Sequence, residues 1–246
     1  MQKKEIIFYY QPILNGDGTV HSVEALVRWN HPQMGLLSPS EFIPDLELTG
    51  IANHLVDYSL TYNLGNLRIM INDGFIFPMA INISITNLQQ TDFTEHVLSA
   101  LYKYNLPPSC LVLEITERGF LTDSEESNRN IRNLSSMGVS FHIDDFGAGF
   151  TSIGILRKFG IHSIKIDHSF ITDLSQNDVS AAVVECVVSM AKKLELKTVA
   201  EGVEDIDLLD PLKKIGVDYF QGYAIAEPMP FADLRSWLKK QHKFGK

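Results

Sequence analysis

Seven short apolar runs of strand-like composition recur along the chain, and each ends in a carboxylate, an amide or a lysine. The first four are Val23-Glu24-Ala25-Leu26, Ala80-Ile81-Asn82-Ile83-Ser84, Leu113-Glu114-Ile115-Thr116-Glu117 and Phe141-His142-Ile143-Asp144-Asp145. Ile164-Lys165-Ile166-Asp167, Val199-Ala200-Glu201-Gly202-Val203-Glu204 and Tyr219-Phe220-Gln221-Gly222 follow. A carboxylate buried near a strand end is costly unless something pairs with it. Polar ends in register are what a cation site at the mouth of a barrel requires.

The first segment reads as a hairpin. Ile6 to Leu14 and Thr19 to Trp29 are apolar and rich in β-branched residues, with turn chemistry in Asn15-Gly16-Asp17-Gly18 between them. Ser38-Pro39-Ser40-Glu41 is a capping box with proline at the first helical position, so a helix starts there. A longer helical stretch runs from about Ile51 to Asn72. Beyond Asn72-Asp73-Gly74 the pattern repeats as apolar strand, polar end and amphipathic helix. Strands are predicted at Met79–Ser84, Cys110–Thr116, Val139–Asp144, Ser163–Asp167, Lys197–Ala200 and Tyr219–Tyr223. Helices are predicted at about 91–104, 124–136, 151–158, 178–194, 205–215 and 231–241. From Asn82 onward the polar ends are roughly 20 to 36 residues apart, the length of single βα units. Most of these strands are apolar throughout, which suits a parallel sheet covered on both faces. No linker or low-complexity run divides the chain. The fold class is therefore α/β: one TIM-like (β/α)8 barrel, a single domain over residues 1–246, whose first hairpin departs from strict βα alternation.

Bulk properties narrow the field. The 246 residues are 45% hydrophobic and 21% charged, as in an ordinary globular protein with a large core. A net charge of −9 argues against non-specific binding to a nucleic-acid polymer or an anionic membrane. A phosphate ligand in so acidic a site would need metal ions to reverse the local charge. Cys110 and Cys186, far apart and each in an apolar run, read as two buried reduced thiols. Gln11 and Pro12 interrupt the apolar stretch after the basic start, so no signal peptide is expected. No run reaches the roughly 18 to 20 apolar residues of a membrane span. These features suggest a cytoplasmic protein.

Glu24, Asn82, Glu114, Asp144 and Asp145 form a carboxylate-rich set with one amide, suited to magnesium or manganese. No histidine falls at a zinc-like spacing. Adjacent aspartates repel unless a cation or a proton relieves them, and one of them could bridge two metals. Singly, each acid could equally cap a helix or pair with a lysine. Gly147-Ala148-Gly149 could place backbone amides against phosphate, but the dinucleotide-binding spacing is absent, and a mobile loop is the better reading. Lys165, within its strand, would have a lowered pKa if it pointed at metals, and could orient or deprotonate water. A salt bridge would also account for it. Arg28 could clamp a phosphate or form a surface ion pair. His142 reads as a satisfied structural histidine. Tyr9, Tyr10, Trp29, Phe146 and Phe150 could stack on a base, with core packing the default.

At these residues the chain resembles the EAL-domain family of cyclic di-GMP phosphodiesterases. The motif itself stands as Glu24-Ala25-Leu26 within Val23-Glu24-Ala25-Leu26-Val27-Arg28-Trp29. The resemblance runs from Tyr10-Gln11-Pro12-Ile13 to Gln221-Gly222-Tyr223 through Glu41-Phe42-Ile43-Pro44, Asp144-Asp145-Phe146-Gly147 and Lys165-Ile166-Asp167. It implies a modified barrel in which one strand runs antiparallel, and hydrolysis of one phosphodiester bond of cyclic di-GMP to linear 5′-pGpG with two Mg²⁺ or Mn²⁺ ions. It implies that Glu24, Asn82, Glu114 and Asp144 hold one metal. Asp144 and Asp145 would serve the second, with Glu201 reaching it through water. Lys165 matches the residue linked to the nucleophilic water, so Glu24, Lys165 and Glu201 are the catalytic candidates. Gln11, Leu26, Arg28 and Gln221 are the substrate-binding candidates. Glu117 matches the glutamate that anchors the loop after Asp145, while Asp167 and Glu204 are placed behind the ligands. A homodimer and a sensory or regulatory domain in a larger parent protein are also implied.

The chain departs from the family pattern at Ala148, Phe150 and Ile153 in the loop, at Asp45 and Leu48 near the first helix, and in Ala224-Ile225-Ala226-Glu227. None of these removes an expected ligand. Two other functions compete: a catalytically silent cyclic di-GMP receptor or interaction domain, and a barrel glycosidase using paired carboxylates. The glycosidase leaves the asparagine, the lysine and the surplus acids unexplained.

Overall fold

The apolar alternation at the N-terminus folds into a long antiparallel hairpin, β1 (Ile6–Asn15) and β2 (Val20–His31). Its register sets Gln11 opposite Glu24, Tyr9 opposite Leu26 and Ile7 opposite Arg28. The structure is a computed structural model and describes residues 5–49, 51–117, 124–147, 156 and 160–244.

A three-residue strand, β3 (Gly35–Leu37), pairs with the far end of β2. The strands β4 (Met79–Asn82), β5 (Leu111–Thr116), β6 (Ser140–Phe146), β7 (Ile161–Ile166), β8 (Lys197–Ala200) and β9 (Tyr219–Phe220) then follow in parallel array from β2. The first strand closes the ring between β9 and β2 and is antiparallel to both. The expected barrel with one reversed strand is therefore what forms. A last short strand, β10 (Met229–Pro230), pairs with β1 outside the ring.

Nine helices are described. The capping box acts as read: Ser38 starts α1 (Pro39–Leu48), and its N–H donates to Glu41 Oε2 at 2.7 Å. The second helix, α2 (Ala52–Asn72), buries Val56, Leu60, Leu64, Leu67 and Met70 at helical spacing. Each such side chain contributes about 1.5–3 kcal/mol of burial. After α3 (Ile85–Leu88) and α4 (Phe93–Lys103) come α5 (Glu125–Ser136), α6 (His168–Thr172) and α7 (Asp178–Lys193). The last two are α8 (Leu209–Ile215) and α9 (Phe231–Phe244). The helix predicted over 151–158 lies outside the described residues. The one predicted over 205–215 is split into a 3-10 turn, Ile206–Leu208, and α8. Pro211 has no N–H to continue a helix from further upstream, yet is tolerated in the first turn of α8.

Inward and outward positions alternate around the ring. On β6, Phe141 and Ile143 are fully buried, while His142 and Asp144 belong to the opposite, inner face. On β1, Tyr10 faces α2: its hydroxyl donates to Asn63 Oδ1 and accepts from Asn66 Nδ2, both at 2.7 Å. Burial drives that hydroxyl above the usual tyrosine range. Tyr10 is thus a core residue, not a platform for a base. Trp29 packs on His31 and Phe42. Cys110 is buried but Cys186 is exposed. The buried stripe of α7 is Val184, Val187, Val188 and Ala191, and Cys186 falls off it. Among the described residues no helix is long and apolar enough to cross a membrane.

Candidate active site

Each of the seven apolar runs delivers one polar side chain to the mouth of the barrel, though not always from a strand end. Glu24 lies inside the twelve-residue β2. What ends near it is the parallel pairing: β4 meets β2 only from Val23 to Ala25, and β2 runs on alongside β1 and β3. Glu114 and Lys165 also sit within their strands. The register puts Glu114 beside Asn82 on one side and His142 on the other.

Lys165 is the centre of the arrangement. Its Nζ lies 2.8 Å from Glu201 Oε1, 2.9 Å from Asp144 Oδ1, 3.0 Å from Glu114 Oε2 and 3.3 Å from Glu24 Oε2. Burial alone would lower its pKa, but Asp144, Glu114, Glu201 and Glu24 together hold it well above the ordinary lysine value. Among the side chains alone, then, the acids outweigh burial, whereas the lowered pKa expected from the sequence is that of a lysine facing bound metal ions.

Amides fix the acids around it. Gln221 Nε2 donates to Glu24 Oε2 at 2.7 Å and to Gln11 Oε1 at 3.1 Å, and Asn82 Nδ2 donates to Glu24 Oε1 at 2.7 Å. Gln11 Nε2 in turn donates to the Ala226 carbonyl at 3.0 Å. Burial would raise Glu24, but Lys165 and these amides hold it below the usual glutamate value. Burial drives Glu114 well above its ordinary value; Lys165 opposes this, and Glu24, Asp144 and Glu201 add to it. Glu201 is raised in the same way. Asp145 is raised by burial and by Asp144 and Asp167.

The donor set fits hard divalent cations. Asp144, Asp145 and Glu201 offer carboxylate oxygens within 4.8 Å of one another. Glu114 Oε1 is buried with no hydrogen-bond partner, an acceptor awaiting a donor or an ion. Every ligand atom is an oxygen, as magnesium and manganese prefer.

Local backbone geometry presents this set. Asp145 takes a left-handed conformation at φ 54°, one that aspartate tolerates better than most residues. Gly147 follows at φ 101°, and a Cβ there would meet the Phe170 ring at 2.9 Å. Its N–H donates to Glu117 Oε2 at 2.8 Å, tying the start of the following loop to the end of β5. Phe150 and the rest of the glycine-containing loop lie outside the described residues.

The remaining candidates are dispersed. Leu26 lines a cleft of about 490 Å³ beside the acids, together with Ile43, Pro44, Glu47, Ser59 and Asn87. That volume is in the range of small-molecule sites. Arg28 shares the inner face of β2 with Glu24 and Leu26 but sits further out, bonded to the Val27 carbonyl and 5.9 Å from the centre of the Tyr9 ring. Asp167 caps α6, accepting from Ser169 N–H at 3.0 Å. Glu204 is exposed. His142 is buried, but its Nδ1 is not satisfied as expected; it has no hydrogen-bond partner and lies 3.7 Å from Glu114 Oε1. Burial pushes it down to about 3, so the ring is neutral. Ser59 and Asn87 were not singled out in the sequence, although Ser84-Ile85-Thr86-Asn87 reads as the capping box that the structure forms.

A (β/α)8 barrel with one reversed strand and an acidic, lysine-centred mouth defines the class. The sequence profile of the EAL domain matches residues 1–228, and the chain belongs to the EAL domain family. It is similar to the bifunctional diguanylate cyclase/cyclic di-GMP phosphodiesterase MucR of Pseudomonas aeruginosa, 34% identical over 236 residues, 95% of this chain and 34% of that protein. It is also 34% identical over 224 residues to the cyclic di-GMP phosphodiesterase RocR of the same organism, covering 90% of this chain and 57% of the relative. The chain thus spans about a third and just over half of these two relatives. Among solved structures, the PaMucR phosphodiesterase in complex with c-di-GMP superimposes with a TM-score of 0.89 at 34% identity, covering 94% of this chain and 95% of that one.

Proposed function

We propose that this domain hydrolyses one phosphodiester bond of cyclic di-GMP to give linear 5′-pGpG. The observation that carries the reading is the set of four carboxylates converging on Lys165 beside a cleft of about 490 Å³. The substrate is supported by the relatives, named as cyclic di-GMP phosphodiesterases, and by the similar structure solved as a c-di-GMP complex.

Glu24, Asn82, Glu114 and Asp144 would hold one Mg²⁺ or Mn²⁺ ion; Asp144 and Asp145 would hold a second, with Glu201 acting through water. Two such ions, when bound, lower the pKa of a water and stabilise charge on the phosphate. The chain's own residues do the rest. Lys165, at the centre of the acids, would orient or deprotonate the attacking water. Gln221 and Asn82 fix both oxygens of Glu24, and Gln11 braces Gln221. The apolar wall formed by Leu26, Ile43 and Pro44 shields one side of the reacting phosphate from water. Arg28, at the rim, pairs with a phosphate oxygen. Glu117 anchors the loop that carries Asp145, while Asp167 supports the site from the cap of α6 and Glu204 from further out. A homodimer, a regulatory domain in the parent protein and a cytoplasmic setting, where free thiols such as Cys110 and Cys186 persist, belong to the same proposal.

The test is incubation of the purified protein with cyclic di-GMP and Mg²⁺ or Mn²⁺, followed by chromatography of the nucleotides. Metal-dependent appearance of pGpG is expected. Tight nucleotide binding without product would make the domain a receptor, and turnover that persists in excess chelator would refute the metal site.

A further inference from the structure

Ser140, His142 and Asp144 alternate along the inner face of β6, so the His142 ring lies one pleat below the mouth. The parallel register places it directly beside Glu114 of β5. Glu114 is fully buried and His142 is 5% exposed. One oxygen of Glu114, Oε2, takes a hydrogen bond from Lys165 at 3.0 Å. The other, Oε1, has no hydrogen-bond partner, and neither does His142 Nδ1; the two atoms face each other at 3.7 Å.

Leaving a buried carboxylate oxygen and a buried ring nitrogen both unmet costs about 1–3 kcal/mol for each group. A movement of less than about 1 Å brings them within hydrogen-bond reach. A carboxylate that accepts from below on one oxygen is left with a single rotation about its own axis. Its second oxygen is then directed at the mouth.

We propose that His142 is a positioning residue: its Nδ1–H donates to Glu114 Oε1 and directs Oε2 toward the cation site. A neutral donor suits the position, because a second buried cation there would repel the ions that the acids gather. Partners behind a metal ligand typically govern affinity by about 10- to 100-fold. The inference rests on the cation-site reading of Glu114 given above.

Two measurements decide it. Long-range ¹⁵N–¹H correlation on the wild-type protein reads the tautomer of His142 without any metal. Calorimetric titration of chelator-treated, dialysed protein with Mn²⁺, without nucleotide, then compares His142→Leu with His142→Asn, whose amide retains a donor near the Nδ1 position. A proton on Nδ1 is expected, with half-saturation raised about tenfold or more in His142→Leu and within about threefold of wild type in His142→Asn. A proton on Nε2, or equal effects of the two substitutions, overturns the positioning role. If His142→Leu does not fold, the tautomer and the His142→Asn titration still decide. Wild-type protein that binds no Mn²⁺ overturns the cation site itself, and the inference with it.

Discussion

Replacing Lys165 with methionine removes the positive charge on which four carboxylates converge, and it isolates what that charge does for the fold. At the 3.0 Å of the Glu114 contact, the attraction is about 5–6 kcal/mol for an effective dielectric constant near 20. The carboxylates repel one another in return. Asp144, Asp145 and Glu201, within 4.8 Å, do so by about 3–4 kcal/mol for each pair of ionised groups. The measurable outcome is therefore far smaller than the sum of contacts. Breaking a buried ion cluster by removing one partner costs about 3–5 kcal/mol. For a chain of this size that lowers the melting temperature by roughly 10 °C.

The sign of the pH dependence discriminates the cause. Wild-type Lys165 is raised above the ordinary lysine value, so its contribution is complete below that value and is lost only as alkaline pH passes the raised one. Across pH 5 to 8 its own protonation does not change. In Lys165→Met, Glu114 and Glu201, already raised, rise further and bind protons in the folded state that the unfolded chain releases. Stability of the variant then falls as pH climbs from the ordinary carboxylate value through the raised one. Thermal unfolding followed by circular dichroism at pH 5.5 and 7.5, in chelator, should show a large deficit at pH 7.5 that narrows at pH 5.5. Equal stability of the two proteins at both values, or a deficit that widens on acidification, would refute the reasoning.

Glu24→Gln should abolish pGpG formation while the protein keeps its fold, because the amide loses one acceptor oxygen facing Lys165; hydrolysis near the wild-type rate would contradict the assignment. Gly222→Ala would set a Cβ 2.2 Å from Val203 N and O, wedging apart the segments that follow β8 and β9. It should lower the urea-unfolding free energy by about 3 kcal/mol and displace Glu201 enough to reduce turnover. Tyr10→Phe strips Asn63 and Asn66 of a shared partner and should cost about 1–3 kcal/mol in the same assay, with kcat unaltered.

Residue pattern carried most of this structure, because barrel strands buried on both faces announce themselves as apolar runs. It carried the polar residues too, since a buried acid in such a run has few other uses. Failures came where the determining interaction lies elsewhere in the chain. The hairpin reading carried β2 past Glu24 to Trp29, but nothing local shows that β4 stops pairing with it at Ala25 while β1 and β3 sustain it. The two-residue β10 and the five-residue α6 are too short to show a period. Cys186 misled because α7 is apolar beyond its buried stripe, with Val179 also exposed. Only geometry reveals that four acids lie within reach of Lys165 and oppose the effect of its burial.

The reversed β1 bears on the chemistry as well as on the closure of the ring. An eighth carboxyl-end loop beside Glu24 and Gln221 would be the natural place for one more acid. The hairpin instead presents Gln11, whose amide accepts from Gln221 and donates to the Ala226 carbonyl. Asn82, Gln221 and Gln11 are all neutral, so the acids are held in place without loss of their collective negative charge. A lysine or arginine in any of those positions would neutralise part of the field that draws divalent ions. One ammonium, Lys165, suffices to keep four carboxylates from driving one another apart. The role proposed for His142 extends this division of labour, with neutral donors supplying direction and a single central charge supplying cohesion.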